Sequence, residues 1–197
     1  MSNTWDDAYT GLQPAPWDIG RPQPEYVALA DRGLLTGRLL DAGCGTGEHA
    51  LLAASRGADA LGIDVSPAAI DRARAKAAER GSTARFQVAD ALHLGDLGLR
   101  FETVIDSGVF HIFSDADRPR YVASLGSVLT SGGTCYLMCF SDRQPGDAGP
   151  RRIRQDELRA AFAEGWTITS IDPAAFEVER MAGFVQAQAW LAVIVRH

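Results

Sequence analysis

Three glycines stand at alternate positions, Gly43, Gly45 and Gly47, within the stretch LLDAGCGTGEHALLAASRG of residues 39–57. Glycine loses more conformational freedom on ordering than any other residue. Three of them so close mark a turn that needs special backbone angles, or a backbone that something else approaches closely. Between an apolar run and an alanine-rich run, such a turn can present N–H groups to a ligand at a helix N-terminus. Its spacing is G-x-G-x-G after Asp41. The dinucleotide fingerprint is G-x-G-x-x-G, so an NAD-dependent oxidoreductase is disfavoured. Carboxylates recur downstream. Asp64 closes ALGID about twenty residues on, where an acid can accept both hydroxyls of a ribose. Asp90, in QVADAL, can accept from an adenine amino group, and Asp106 lies in VIDSGVF. His111 follows closely and titrates near neutrality. It is the base candidate, a packed histidine being the other reading. Arg151 and Arg152 suit a carboxylate or a planar partner; solvated surface is the alternative.

The elements that must position these residues can be read from the same string. Residues 37–43, 58–66, 84–90, 101–110 and 131–141 read as apolar strands that end in turn chemistry. Residues 24–33, 48–57, 68–81, 117–129 and 154–165 read as helices. Ser66-Pro67 is an N-cap followed by proline at the first helical position. Gly57 and Gly81 are stops. Residues 166–172 and 186–197 close the chain as two strands. Alternating strands and helices predict a parallel sheet with helices on both faces. Four successive strands then carry an acid at or near the carboxyl end, the edge where ligands bind in such sheets. Strand-end aspartates that merely cap turns are the plainer reading of any one of them.

Over nearly its whole length the chain resembles a class I S-adenosylmethionine-dependent methyltransferase. LLDAGCGTG matches that family's first motif, Asp64 its ribose-binding acid, Ala89–Ala91 its adenine element, and LTSGGTCYLMCF its turn before strand five. The resemblance implies one domain over 1–197. It implies a Rossmann-like α/β fold, a seven-stranded sheet in the order 3-2-1-4-5-7-6 with the last strand antiparallel. The cofactor is S-adenosylmethionine. Its implied contacts come from Trp17, Asp41, Gly43, Cys44, Gly45 and Gly47, then Asp64, Val65, Ala89, Asp90, Ala91, Asp106 and Ser107. Cys44 is a small backbone-contact residue there and not a nucleophile.

Residues 1–24, with WDDAYTGLQPAPWDIGRPQP, resemble the opening of the thiol, halide and thiopurine methyltransferases and of actinobacterial enzymes that act on quinones and heterocyclic toxins. There the segment is a lid over the site. Carried over, Trp5, Tyr9 and Arg21 would meet the acceptor together with Phe110, His111, Arg151 and Arg152; an aromatic plug in a surface groove is the alternative. Methyl transfer from a sulfonium needs alignment and exclusion of water above all. A base is needed only when the nucleophile arrives protonated. The expected acceptor is therefore a small aromatic or heterocyclic molecule with a thiol, an acidic hydroxyl or a ring nitrogen. A cofactor-binding protein without catalysis is the alternative from another class.

Composition narrows the partners. The 197 residues carry a formal charge of −6, which speaks against nucleic acid and anionic membranes. The nucleic-acid amino-methyltransferase motif N/D-P-P-Y/F is replaced by DSGVF. A catechol-type metal site fails because Arg143 follows Asp142 where an Asn is needed, so no metal is expected. His49 and His93 read as structural. Three cysteines, Cys44, Cys135 and Cys139, form no CxxC pair and suit a reducing cytoplasm. Residues 1–11 lack a secretory pattern, and no run reaches the ~18 apolar residues of a membrane span. Oligomeric state is left open.

Overall fold

A computed structural model describes residues 4–11, 15–181 and 184–197. Its strands are β1 (Arg38–Ala42), β2 (Asp59–Asp64), β3 (Arg85–Val88), β4 (Phe101–Ser107), β5 (Leu129–Phe140), β6 (Trp166–Met181) and β7 (Phe184–Arg196). They form one sheet in the order β3-β2-β1-β4-β5-β7-β6. β1 to β5 are parallel, and β7 runs antiparallel to both neighbours. The fold expected from the resemblance is therefore the fold observed.

Side chains alternate across each strand, and the two faces bury separate apolar clusters. Leu39 packs with Tyr26, Ala50 and Ile70 on one face. Leu40 packs with Phe101, Leu125 and Phe162 on the other. The first face is covered by α2 (Pro24–Asp31), α3 (Glu48–Ser55) and α4 (Pro67–Glu79), the second by α5 (Asp117–Val128) and α6 (Gln155–Ala161). Each fully buried leucine or phenylalanine contributes roughly 1.5–3 kcal/mol, which fixes the strand register and hence the acids at the sheet edge. Ser66 caps α4 as expected, accepting from the Ala69 amide at 3.1 Å.

Two elements differ from the sequence reading. Residues 4–10 form a helix, α1 (Thr4–Thr10). It lies on the start of α4, where Asp6 accepts from Ser66 Oγ at 2.6 Å and from the Ala68 amide at 3.0 Å. Strand β6 also runs past Asp172 to Met181, through Pro173. It is the edge strand, and Pro173 has no outward N–H that needs a partner. Beyond it that edge is covered by the N-terminal segment. The amides of Ala175, Glu177 and Glu179 donate to Glu25 Oε1, Gln23 Oε1 and the Pro16 carbonyl, at 2.9, 2.8 and 2.8 Å.

Gly47 opens α3 at φ +89°, and a Cβ there would meet Phe86 at 2.6 Å and Ala73 at 2.9 Å. Gly57, at φ +93°, has open space around it. We expect Gly47→Ala to destabilise by about 2–4 kcal/mol, strain plus overpacking, and Gly57→Ala by only about 1 kcal/mol. Urea denaturation of both variants checks this; equal losses would show that packing at Gly47 adds nothing.

Candidate functional site

The carboxyl ends of the parallel strands open onto a cavity of about 830 Å³. That is the upper part of the ~300–1,000 Å³ range of small-molecule sites, with room for a cofactor and a planar acceptor together. Its floor is the glycine turn. Three of the turn's amides are spent internally: Cys44 N–H goes to the Ile63 carbonyl, Gly47 N–H to the Cys44 carbonyl, and Gly45 N–H to Asp64 Oδ2 at 2.9 Å. The glycines instead give room. A Cβ on Gly43 would meet Val109 Cγ2 at 2.2 Å, and one on Gly45 would meet the Tyr9 hydroxyl at 2.9 Å.

Asp64 is set by the end of β2 and faces the cavity. Besides Gly45 it accepts the Ser66 amide at 2.9 Å. Burial raises its pKa above the ordinary carboxylate value, and each oxygen keeps a second lone pair. Val65, Ala89, Asp90, Ala91, Cys44 and Ser107 also line the cavity. Asp90 caps the short 3-10 segment Ala91–Leu97 through Leu92 N–H and pairs with His93 Nδ1 at 3.0 Å. Three expected cofactor residues sit beneath the lining. Gly47 packs on Phe86. Asp41 is buried below the turn and accepts the Ala50 amide at 3.0 Å. Asp106, on β4, accepts from the Val109 and Phe110 amides and the Tyr121 hydroxyl. Both carboxyls are pushed up to about 7, chiefly by burial. They shape the turns; the cavity does not reach them.

The other end of the cavity is apolar and aromatic. The His111 ring stands edge-on to Phe140 and Phe176, with centroids 5.2 and 5.9 Å away. Ile112, Phe113 and Val178 complete this wall. The Phe140 amide donates to His111 Nδ1 at 2.9 Å. Nδ1 is thus an acceptor, and the neutral ring carries its proton on Nε2. Nε2 has no partner among the described residues. Burial, with help from the Arg152 charge, lowers the His111 pKa to about 3. The ring is a neutral hydrogen-bond donor. In this setting Nδ1 has no lone pair free for a proton, which favours the packed-histidine reading of the sequence over the base.

Two expected acceptor residues point elsewhere. Beyond Gly108 the chain turns through a 3-10 segment, Phe110–Ile112, which drives Phe110 inward against Phe162 at 5.9 Å. Arg152 folds back onto its own loop, donating to the carbonyls of Gln144, Gly146, Ala148 and Pro150. Arg151 does line the cavity, but its guanidinium is held by Asp115 and Glu157.

The N-terminal segment covers the cavity. Trp5, Tyr9, Trp17 and Arg21 all line it. Trp17 Nε1 donates to the Tyr9 hydroxyl at 2.8 Å, and Trp5 meets Trp17 edge-on at 5.9 Å. Arg21 pairs with Glu177 at 2.7 Å. Residues that the sequence reading passed over fasten it. Asp18 accepts from Thr46 Oγ1 at 2.8 Å, and Thr46 in turn accepts from Lys76 at 2.7 Å. His49, read as structural, lines the cavity and accepts the Gln23 amide at 3.1 Å; burial takes its pKa down to about 4. Asp18-Ile19-Gly20 in a segment of aromatics was the available signal. Gln23 and His49 offered none, because their meeting depends on tertiary packing. No group of three metal-ligating side chains occurs among the described residues, and no helix there is long and apolar enough to cross a membrane.

Known proteins were compared with this geometry in hand. A family model described as a methyltransferase domain matches residues 39–133. The chain is 36% identical over 183 residues to the 2-heptyl-1-hydroxyquinolin-4(1H)-one methyltransferase of Mycobacteroides abscessus, covering 88% of this chain and 81% of that one. It is 26% identical to probable thiol methyltransferase 2 of Arabidopsis thaliana, over 72% of this chain and 64% of the relative. A solved structure described as the conversion of a disulfide bond into a thioacetal group during echinomycin biosynthesis matches with TM-score 0.89. It is 40% identical and covers 100% of this chain and 93% of that one.

The lid's fastening yields a test. Asp6→Ala removes the carboxylate that holds α1 to the start of α4, a cap-like contact. Hydrogen exchange of residues 5–10 is expected to rise severalfold, with that of α4 beyond its first turn unchanged. Unaltered exchange at 5–10 would show that α1 is held by something other than Asp6.

Proposed function

The chain belongs to the S-adenosylmethionine-dependent methyltransferase family, and we propose that it methylates an acidic hydroxyl, a thiol or a ring nitrogen of a planar aromatic or heterocyclic small molecule. The residues fit the cofactor. Asp64 has lone pairs left for the ribose hydroxyls, Val65 and Ala89–Ala91 offer an adenine surface, and Gly43 and Gly45 line the cavity without side chains. Bound there, S-adenosylmethionine supplies an electrophilic methyl on a sulfonium sulfur. The chain's own part is alignment and exclusion of water. Tyr9 and Trp17 close over the turn, and the rings of Phe140, Phe176 and His111 form a wall against which a flat acceptor can stack.

The observation that carries this reading is the Phe140 amide on His111 Nδ1, which leaves the proton of a neutral ring on Nε2. A neutral N–H at the aromatic end stabilises an oxyanion or thiolate. It does not generate one. The carboxylates that line the cavity already accept protein donors: Asp18 from Thr46, Glu48 from Lys76 and Arg80, Asp64 from two amides, Asp90 from Leu92. We take the acceptor to be one that ionises readily by itself. That suits the compound named for the Mycobacteroides abscessus relative, an N-hydroxylated quinolinone, and the thiols named for the Arabidopsis thaliana one. It does not suit aliphatic alcohols.

The test is a panel of acceptors with labelled cofactor, read against pH. With a His111 pKa of about 3, the ring is neutral and its donor constant from mildly acidic pH upward. Activity should rise with pH through the acceptor's own pKa and then level, with no inflection near the ordinary histidine value of about 6.5. His111→Ala should lower kcat/KM about 10–100-fold, as loss of a hydrogen bond to an anion does. The loss should be similar for a thiol and for an acidic phenol. A loss confined to the less acidic acceptor, with an inflection near 6.5, would restore the base; turnover of an aliphatic alcohol would overturn the acceptor class.

Asp64→Ala is expected to weaken S-adenosylhomocysteine binding by about 1.5–3 kcal/mol, measured by calorimetry. Unchanged affinity would remove Asp64 from the cofactor site.

A further inference from the structure

We propose that the loop joining β5 to α6 is a flap through which the methyl acceptor reaches the cavity, and that the ion-pair clasp of Arg151 with Asp115 and Glu157 selects which acceptors pass; this rests on the methyltransferase reading above. The loop, residues 141–154, is a unit in its own right. Arg152 gathers it from within, donating to the Gln144, Gly146, Ala148 and Pro150 carbonyls at 3.3, 2.9, 2.8 and 2.5 Å. Its base is closed by backbone bonds, Ile153 N–H to the Phe140 carbonyl at 2.9 Å and Asp142 N–H to the Ile153 carbonyl at 3.1 Å. Its outer part, Gly149, Pro150 and Arg151, forms cavity wall. The Gln188 amide and Trp190 Nε1 hold its first residues to β7 through Gln144 Oε1 and Asp142 Oδ1, at 2.7 and 3.1 Å, so the part left to move is the outer one.

At that outer part, the side-chain ties that reach beyond the loop among the described residues are those of Arg151. It reaches Asp115, in the loop after β4, at 2.5 Å, and Glu157 on α6. Arg118 holds the same two carboxylates from below, and its guanidinium lies over the Phe110 ring at 5.8 Å. The four charges alternate in a ring whose halves differ. The Arg118 side chain is 9% exposed, while those of Arg151 and Asp115 are 42% and 78% exposed. Releasing Arg151 leaves both carboxylates paired to Arg118, so no buried charge is orphaned. Exposed ion pairs have small net stability and are screened by salt. The clasp is thus made to open at Arg151. The N-terminal lid is tied down at Asp6, Asp18, Gln23 and Arg21 on three different elements. The flap is the weaker cover, and it borders the acceptor end.

The experiment uses the full chain with S-adenosylhomocysteine bound. Wild type and Arg151→Met are compared by hydrogen exchange, and Asp115→Asn is included because Asp115 is exposed and its loss spares the core. Exchange at residues 144–152 should rise about 5-fold or more in both variants, and in wild type on raising salt from about 0.05 to 0.5 M, with residues 5–21 unchanged. With thiophenol and a long-chain N-hydroxyquinolinone as acceptors, kcat/KM for the larger should rise relative to the smaller by about 3–10-fold, through KM. Unchanged exchange at 144–152, or equal effects on the two acceptors, would overturn the proposal. Should wild type methylate neither compound, the acceptor reading fails by itself, and the exchange comparison still decides the clasp.

Discussion

The amide of Phe140 donates to Nδ1 of His111, and that bond decides what the aromatic end of the cavity can do. It fixes the tautomer, turns the ring edge-on to Phe140 and Phe176, and leaves Nε2–H as the group presented to an acceptor. It exists because β4 stops pairing with β5 at Met138, and the Phe140 N–H needs another partner there. The segment after β4 meets that need. Asp106 accepts the amides of Val109 and Phe110, the chain tightens into a 3-10 turn, and His111 is carried to the end of β5. Burial then makes protonation costly, so the ring stays neutral. On the function proposed above, a neutral donor, aromatic walls and a covered mouth would together hold an ionised nucleophile dry and aligned.

The two ends of the cavity are closed by different physics. Over the cofactor end, the N-terminal segment is fastened by hydrogen bonds to three elements, with Tyr9 pressed against the Cβ-less face of Gly45. Over the acceptor end, closure rests on exposed ion pairs. Part-buried hydrogen bonds are costlier to break than exposed charge pairs.

Much of this was legible in the sequence. The strand-end acids and the glycine spacing located the sheet edge, and the Trp and Tyr content of residues 5–17 marked a cover. Legibility failed wherever a role depends on a distant backbone atom. His111 has the composition of a base, and only the Phe140 amide, 29 residues away, makes it a donor. Arg151 and Arg152 look alike in a charge run, yet one faces a cleft and the other its own loop, because neighbouring side chains diverge. Phe110 was assigned to the acceptor from its place after β4, whereas the turn at Gly108 sends it into the core. Asp41 and Asp106 looked like ligands for the same reason that makes them turn anchors: a buried carboxylate at a strand end must satisfy some donor, and backbone N–H groups were nearest. The end of β6 was misplaced at Asp172 because Pro173 is a strand breaker except at an edge.

The claim at the centre is the protonation state of His111, and nitrogen-15 NMR of the imidazole in the S-adenosylhomocysteine complex tests it directly. The account predicts one ring proton, on Nε2, with an acceptor-type Nδ1 that does not titrate between about pH 5 and 9, where an unperturbed histidine would. A proton on Nδ1, or a ring that becomes imidazolium in that range, would contradict it.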